Sequence, residues 1–377
     1  MKTNEPVSNI IKKEEDVKTY NRIKIIINIF DLVFNIIFIT LLAFSGISQY
    51  ILGHIEVYSQ NPYIQFLLFL FVVGLIAALI DFPIDLYSSY FLEHRYGLSN
   101  QNIFNWLIER MKSLIVGVSL GIPVSLIFYY LLRISGDNWW LFFGIFVFIF
   151  AILLARIAPI LIFPIFYKYK QLDNDALKER IFGIIKKYNI GIKGIYTFDM
   201  SKDTKKANAG FTGIGKSKRI IISDTLIDNF TLDEIEIIFA HELGHYIKRH
   251  IVKSIFFSGT IIFLSFYICG ILYSKTISIY GLDHSYDIAA IPILFFYLSL
   301  FSLVLMPITN IISRRFEREA DLFAIQLIGK NEPFISSMER LAELNLTDKE
   351  PNKIIEFLFY SHPSIKKRIE FGRNVII

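Results

Sequence analysis

The sequence is short of two things that a soluble protein of its length uses freely, charge and cysteine. Only 19% of the 377 residues are charged, against 54% hydrophobic, and the mean hydropathy is +0.48. A soluble domain this long can bury a large core, but its surface needs more charge than that. Lipid is therefore the expected solvent for much of the chain. The one cysteine, Cys269, lies in an apolar run. That excludes a disulfide framework or a cysteine-based zinc site within one chain. The formal charge of +5 is modest. It reads as loop lysines flanking membrane spans, and no nucleic-acid partner is expected. The N-terminal stretch around Lys12-Lys13-Glu14-Glu15-Asp16 is polar. It lacks the short apolar core after a basic start that marks a cleaved signal peptide. The first span is thus expected to remain as an anchor. No internal repeat and no low-complexity tract is present.

What the chain does have is long apolar runs. Six are long enough to span, since about 20 helical residues cross a bilayer. They cover roughly 24–48, 63–90, 113–133, 139–165, 251–274 and 288–312. A partly inserted helix would bring the count to seven. Asp81, Pro83 and Asp85 interrupt the end of the second run. These acids face either a protein interior or water-filled space, or else an interfacial helix end. Lysine and arginine alternate between loops. The N-terminal segment carries Lys2, Lys12, Lys13, Lys18, Arg22 and Lys24, and the loop over 48–62 carries none. Arg95, Arg110 and Lys112 follow the second run, and Arg133 alone lies near the interface residues Trp139 and Trp140. Residues 168–253 are lysine-rich, Lys275 stands alone, and Arg314, Arg315 and Arg318 follow the sixth run. This pattern predicts both termini on the cytoplasmic side. The chain then divides into a membrane region over 1–165 with four spans and a second region over 166–377 with two more.

Residues 166–250 are not membrane-like. Within them 194–200 and 218–223 read as short strands on β-branched content. Asn208-Ala209-Gly210-Phe211-Thr212-Gly213 reads as a turn or an irregular edge strand. Residues 313–377 read as amphipathic helices with a loop over 348–352. Thr231-Leu232-Asp233-Glu234 is a capping box and predicts a helix start. Ile235, Ile238 and Phe239 give that helix an apolar side, and His241-Glu242-Leu243-Gly244-His245 follows on it.

Four residues is close to one helical turn, so the imidazoles of His241 and His245 leave one face. Such a pair can bind one zinc ion, with Glu242 beside it to activate water. Gly244 removes a side chain where the metal or a neighbouring element would crowd the helix. The competing account is two core histidines satisfied by carbonyls. A catalytic zinc needs a third protein ligand and an open position. His250, five residues beyond His245, is expected on a different face. The best carboxylate is Glu317, within Asn310-Ile311-Ile312-Ser313-Arg314-Arg315-Phe316-Glu317-Arg318-Glu319-Ala320-Asp321. Asp321 lies one turn later and can hold a ligand histidine in one tautomer. The same stretch also reads as a charged face at the membrane surface, with Arg314 and Arg318 pairing with Glu317 and Asp321. His362-Pro363 offers a histidine to an oxyanion, or simply a helix-entry residue.

Taken in order, these motifs resemble the CAAX prenyl protease type 1 family, integral membrane zinc metalloproteases. The resemblance runs from about residue 20 to 370. It rests on Pro83, Leu86-Tyr87-Ser88, Glu93 and Tyr96-Gly97-Leu98; on Ile157-Ala158-Pro159 with Phe163-Pro164; and on Asn208-Ala209 and Lys218-Arg219-Ile220. Ala240-His241-Glu242-Leu243-Gly244-His245, Ser313-Arg314-Arg315-Phe316-Glu317 with Ala320-Asp321, and Ser361-His362-Pro363 complete it. It implies one zinc ion on His241, His245 and Glu317, with Glu242 as general base. Asp321 would be the supporting acid, and His362 would stabilise the transition state. Substrate would pair as an extended strand along Asn208, Ala209, Gly210 and Phe211. It also implies helices enclosing a large water-filled chamber. The chain is shorter than the eukaryotic members, which weakens any transfer of substrate. The expected fold is a mainly α, multi-pass membrane protein with a zincin-like catalytic core containing a small β-sheet. The expected activity is zinc-activated attack of water on prenylated or other membrane-associated peptides. The membrane would be the plasma membrane in a microbe or the endoplasmic reticulum in a eukaryote, with the active site towards the cytoplasm. Alternatives are an HtpX-like quality-control protease, which lacks the long N-terminal membrane region, and a non-enzymatic scaffold or transporter.

Overall fold

The computed structural model describes residues 7–188, 190–212, 219–280, 282 and 284–377, and leaves undescribed the side chains of 7–13 and of Phe211. Lys2, Gly213 and Lys218, named above, lie outside the described residues, as do the side chains of Lys12 and Lys13.

Apolar length dictates the architecture. Six of the described helices are long and apolar enough to cross a membrane: Glu14–Phe44, Pro62–Arg95, Ile103–Ile134, Gly136–Phe166, His250–Ile279 and Ile288–Ile328. Their apolar side chains mostly face outward; Phe71 and Leu79 are 64% and 67% exposed. In water such a surface would associate, whereas in a bilayer it is the solvated face. Local chemistry sets the ends. α1 (Val7–Phe44) and α2 (Ile47–Glu56) are separated at Gly46, whose φ of 84° suits glycine. α3 (Pro62–Asp85) starts with proline in its first turn and the Asn61 side chain accepting from the Tyr63 and Ile64 amides. The helix does not stop at its acids. It runs through a π-helical turn, Leu86–Phe91, into α4 (Leu92–Arg95). Asp85 pairs at 2.9 Å with Arg110 of α5 (Ile103–Ile134).

α6 (Trp139–Leu161) completes the N-terminal membrane region and leads through α7 (Phe163–Phe166). Trp139, Tyr129, Phe66 and Tyr273 form a buried aromatic cluster between spans. The polar region then folds around a four-stranded sheet of order β1-β2-β4-β3. The strands are β1 (Tyr169–Gln171), β2 (Ile195–Phe198), β3 (Ala209–Thr212) and β4 (Arg219–Ser223). β2 and β4 are parallel, while the outer strands are antiparallel to their neighbours. Of the two alternatives, residues 209–212 adopt the edge strand, with Ala209 opposite Ile222 and Phe211 opposite Ile220. α8 (Asp175–Lys187) and α9 (Asp224–Asn229) flank the sheet, and α8 packs Leu177 and Ile181 against it.

α10 (Leu232–Ile247) opens with the expected capping box, both reciprocal bonds being present at Thr231 and Glu234. α11 (His250–Ile279) follows after Arg249, held in the left-handed region at φ 55°. α12 (Ile291–Ile328) differs from expectation in extent. The sixth span and the Glu317 helix are one continuous rod, despite Pro307. α13 (Glu332–Leu344), α14 (Lys353–Phe359) and α15 (Ile365–Asn374) close the chain.

Candidate active site

α10 and α12 pack against each other, which brings the two motifs together. Nε2 of His241 and Nε2 of His245 lie 3.1 Å apart. Glu317 approaches His241 Nε2 at 3.4 Å and His245 Nε2 at 3.3 Å. Ligand atoms of the three side chains all lie within 4.8 Å of one another. A tetrahedral ion with bonds of about 2.0–2.1 Å needs ligand atoms roughly 3.3 Å apart, close to these approaches. Glu317 Oε2 is buried with no hydrogen-bond partner, a costly state that a bound cation relieves. Two imidazoles and one carboxylate therefore fit a divalent metal. Core histidines satisfied by carbonyls do not describe this geometry, because both Nε2 atoms face each other and a carboxylate.

The remaining site residues surround this cluster. Asp321 Oδ1 lies 2.8 Å from His241 Nδ1, on the ring side away from Glu317. Arg368 of α15 holds Asp321 by two bonds, Nε to Oδ2 at 2.9 Å and Nη2 to Oδ1 at 2.6 Å. Burial pushes the His241 imidazole down, but Asp321 and Glu317 outweigh it and raise its pKa to about 9. Glu242 is half-buried beside the cluster, and burial raises its carboxyl above the ordinary range. His362 sits with Nε2 3.4 Å from Glu317 Oε1, while Ser361 Oγ meets its Nδ1 at 2.9 Å. The helix-entry role falls to Ser364, at the start of α15.

The charged-face alternative for 310–321 is not what forms. Arg314 donates to the carbonyls of Glu356 and Tyr360 at the end of α14, at 3.1 and 2.5 Å, and the Arg318 guanidinium lies over the Phe371 ring. Two groups escaped the sequence reading. Arg368 carries no motif. His250 was expected on another face, yet its Nδ1 lies 3.0 Å from His245 Nδ1. Helical counting fails there because the helix is broken at the left-handed Arg249.

Asn208 is exposed where the chain enters β3; its amide donates to Ser223 Oγ at 3.0 Å. β3 is one of the two sheet edges. A cavity of about 250 Å³ lies between that edge and the cluster, bordered by Asn208, Ala209, His241, Glu242, Met338 and His362. Gly210 and Phe211 continue along the same strand. On the other side a cavity of about 490 Å³ runs between α6 and α11, bordered by Phe148, Ile152, Ile255 and Ile262 and reaching Glu242 and His245.

A family profile described as peptidase family M48 matches residues 171–375. The chain belongs to peptidase family M48. A second profile, the CAAX prenyl protease N-terminal region of five membrane helices, matches residues 4–168 of this M48 chain. An uncharacterised metalloprotease of Bacillus subtilis, YhfN, is 30% identical over 88% of this chain and 79% of its own length. CAAX prenyl protease 1 of Saccharomyces cerevisiae is 30% identical over 81% of this chain and 71% of its own length. The crystal structure of S. mikatae Ste24p matches with a TM-score of 0.87 and 25% identity, over 96% of this chain and 89% of that one. The M48 chain is thus an integral, multi-pass membrane metalloprotease built on a mainly α fold with a small sheet.

Proposed function

We propose that this M48 protease is a zinc endopeptidase that removes the C-terminal tripeptide from CAAX-type prenylated peptides or similar membrane-associated peptides. The carrying observation is the His241, His245 and Glu317 cluster, with Glu242 beside it and cavities on both sides. Two nitrogens and one carboxylate oxygen suit zinc, and three protein ligands leave a position open for chemistry. A zinc ion held there supplies Lewis acidity, which polarises the peptide carbonyl and makes water a nucleophile near neutral pH.

The protein's own groups do the rest. Glu242 takes the proton from the attacking water and returns it to the leaving amine. His362 donates to the oxygen that becomes negative as the carbonyl turns tetrahedral. Asp321, held by Arg368, orients His241. Asn208, Ala209, Gly210 and Phe211 offer backbone groups to an extended peptide, so that the scissile bond runs over the cluster.

The apolar cavity between α6 and α11 supports a lipidated substrate, since it reaches Glu242 and His245 from between two candidate membrane spans. The similarity to CAAX prenyl protease 1 over most of both chains supports the same reading. A match to the N-terminal region over 4–168 favours it over an HtpX-like quality-control protease. A non-enzymatic scaffold or transporter would have no use for Glu242 beside a complete ligand set. The reading keeps two parts, a membrane region over 1–165 and a metallopeptidase region over 166–377. Loop charge supports an active site on the cytoplasmic side.

The test compares matched peptides with and without a farnesyl group, with the cut site read by mass. Cleavage three residues from the C-terminus, faster with farnesyl and absent in Glu242→Gln, is expected. Equal cleavage of both peptides removes the prenyl specificity; no cleavage of either by zinc-loaded protein removes the proposal.

A further inference from the structure

We propose that His250 and Glu319 form a relay that fixes His245 in its metal-binding tautomer, making both of them positioning residues for the metal. The inference rests on the reading of His245 as a ligand. His250 is buried, at 3% exposure. Its Nδ1 meets His245 Nδ1 at 3.0 Å and its Nε2 meets Glu319 Oε2 at 3.1 Å. An ionised carboxylate only accepts, so His250 Nε2 carries the hydrogen of that contact. In neutral His250 the other nitrogen, Nδ1, is then a bare acceptor. The hydrogen shared between the two rings must therefore belong to His245 Nδ1. His245 Nε2 is left with a free lone pair, and that nitrogen faces His241 and Glu317. With no relay, the tautomer bearing hydrogen on Nε2 competes and blocks the metal.

The relay is held from three sides. Arg249, in its left-handed conformation, turns the chain so that His250 comes back against α10. The Phe316 ring stacks on the His250 imidazole, with centroids 4.4 Å apart and planes 10° apart, so the ring cannot swing. Glu319 is itself held by Arg315 at 3.3 Å and Lys253 at 3.6 Å. One turn of α12 therefore presents the candidate ligand Glu317, the stacking Phe316 and the relay acceptor Glu319. The two histidines of the motif are oriented differently. His241 faces a carboxylate directly, whereas His245 reaches one through a second imidazole.

The experiment measures zinc affinity of the full-length protein in lipid nanodiscs by competition with a chromophoric chelator. It also records the visible absorption of the cobalt-substituted protein. His250→Leu removes the acceptor, and affinity should fall about 10- to 100-fold with a shifted cobalt band. His250→Asn places an amide oxygen near the Nδ1 position and should hold affinity within a few-fold of wild type. Where His250→Leu does not fold, Glu319→Ala against Glu319→Gln reads the same coupling. The alanine variant should bind zinc more weakly than the glutamine variant, whose oxygen still accepts. Wild-type affinity in the leucine or alanine variants, or an equal loss in both members of a pair, overturns the relay. His245→Ala separates the two ideas. If it keeps full zinc, the ligand reading fails; if it loses zinc while His250→Leu does not, only the relay fails.

Discussion

Gly244 lies directly against the backbone of Ala320, where a Cβ would come within 3.1 Å of the Ala320 Cα and 3.2 Å of its carbonyl oxygen. The neighbouring helix foreseen as a crowding partner for Gly244 is in place. Backbone atoms cannot step aside as a flexible side chain can, so any side chain at 244 would press α10 and α12 apart. The distance between these helices sets how far Glu317 stands from the histidine pair.

Gly244→Ala should therefore separate the helices by a few tenths of an ångström. Overpacking of this kind costs about 1–3 kcal/mol. The expected outcome is a lower unfolding temperature together with weaker zinc binding, measured on the same purified protein. A variant with wild-type stability and zinc content would show that the helix contact does not set the ligand geometry.

The buried pair of Asp321 and Arg368 gives a second prediction. Their side chains are 2% and 9% exposed, and each is the other's main partner. Removing one member leaves a buried charge uncompensated, at a cost of about 3–5 kcal/mol. Arg368→Leu should destabilise the fold by that order, whereas Arg368→Leu with Asp321→Asn should recover part of the loss. Chemical denaturation of the four proteins in the cycle checks it; additive losses would mean that the two side chains do not depend on each other.

Metal binding should depend on pH through His241. Its pKa is raised to about 9 in the metal-free protein, because Asp321 and Glu317 outweigh the effect of burial. In that state the raised pKa contributes stability that is fully present below the unfolded value of about 6.5 and is lost as pH rises through about 9. A histidine must be neutral to bind a metal, so proton and zinc compete. Apparent zinc affinity should weaken as pH falls below about 9, by up to tenfold per pH unit from this one group. Chelator competition across that range measures the slope. A flat profile would mean that His241 does not exchange a proton for the metal.

How much of this could be read beforehand depends on how local each feature is. The six spans were legible because each is a long apolar run, and α10 was legible from its capping box. The end of α12 was not, because helix continues past the point where hydrophobicity stops. β1 spans only Tyr169–Gln171 and exists through its pairing with β2, a contact that composition does not encode. Of the candidate site, His241, Glu242 and His245 stood out by spacing and Glu317 by the family resemblance, and the fold brings them together. Arg368 was hidden because its partner Asp321 lies far away in sequence. His250 was hidden because the helix break at Arg249 depends on one backbone conformation that a periodicity argument does not see.

Glu242 links the pH profile to the chemical step. Its carboxyl is raised by burial above the ordinary value of 4.5, partly opposed by the neighbouring histidines. A general base acts as carboxylate, and the protonated form is far too weakly basic to take the water's proton. Activity should thus be present above the raised pKa and lost as pH falls through it, placing the acid limb of kcat/KM above that of an exposed glutamate. Glu242→Gln keeps the shape and cannot take a proton. It should lower kcat by about 100- to 10,000-fold while zinc content stays at the wild-type level. The separation is the point of the measurement, because Glu317→Ala should lose both zinc and activity. If Glu242→Gln loses zinc as well, Glu242 belongs to the metal's ligand set, and the proton must be taken by another group.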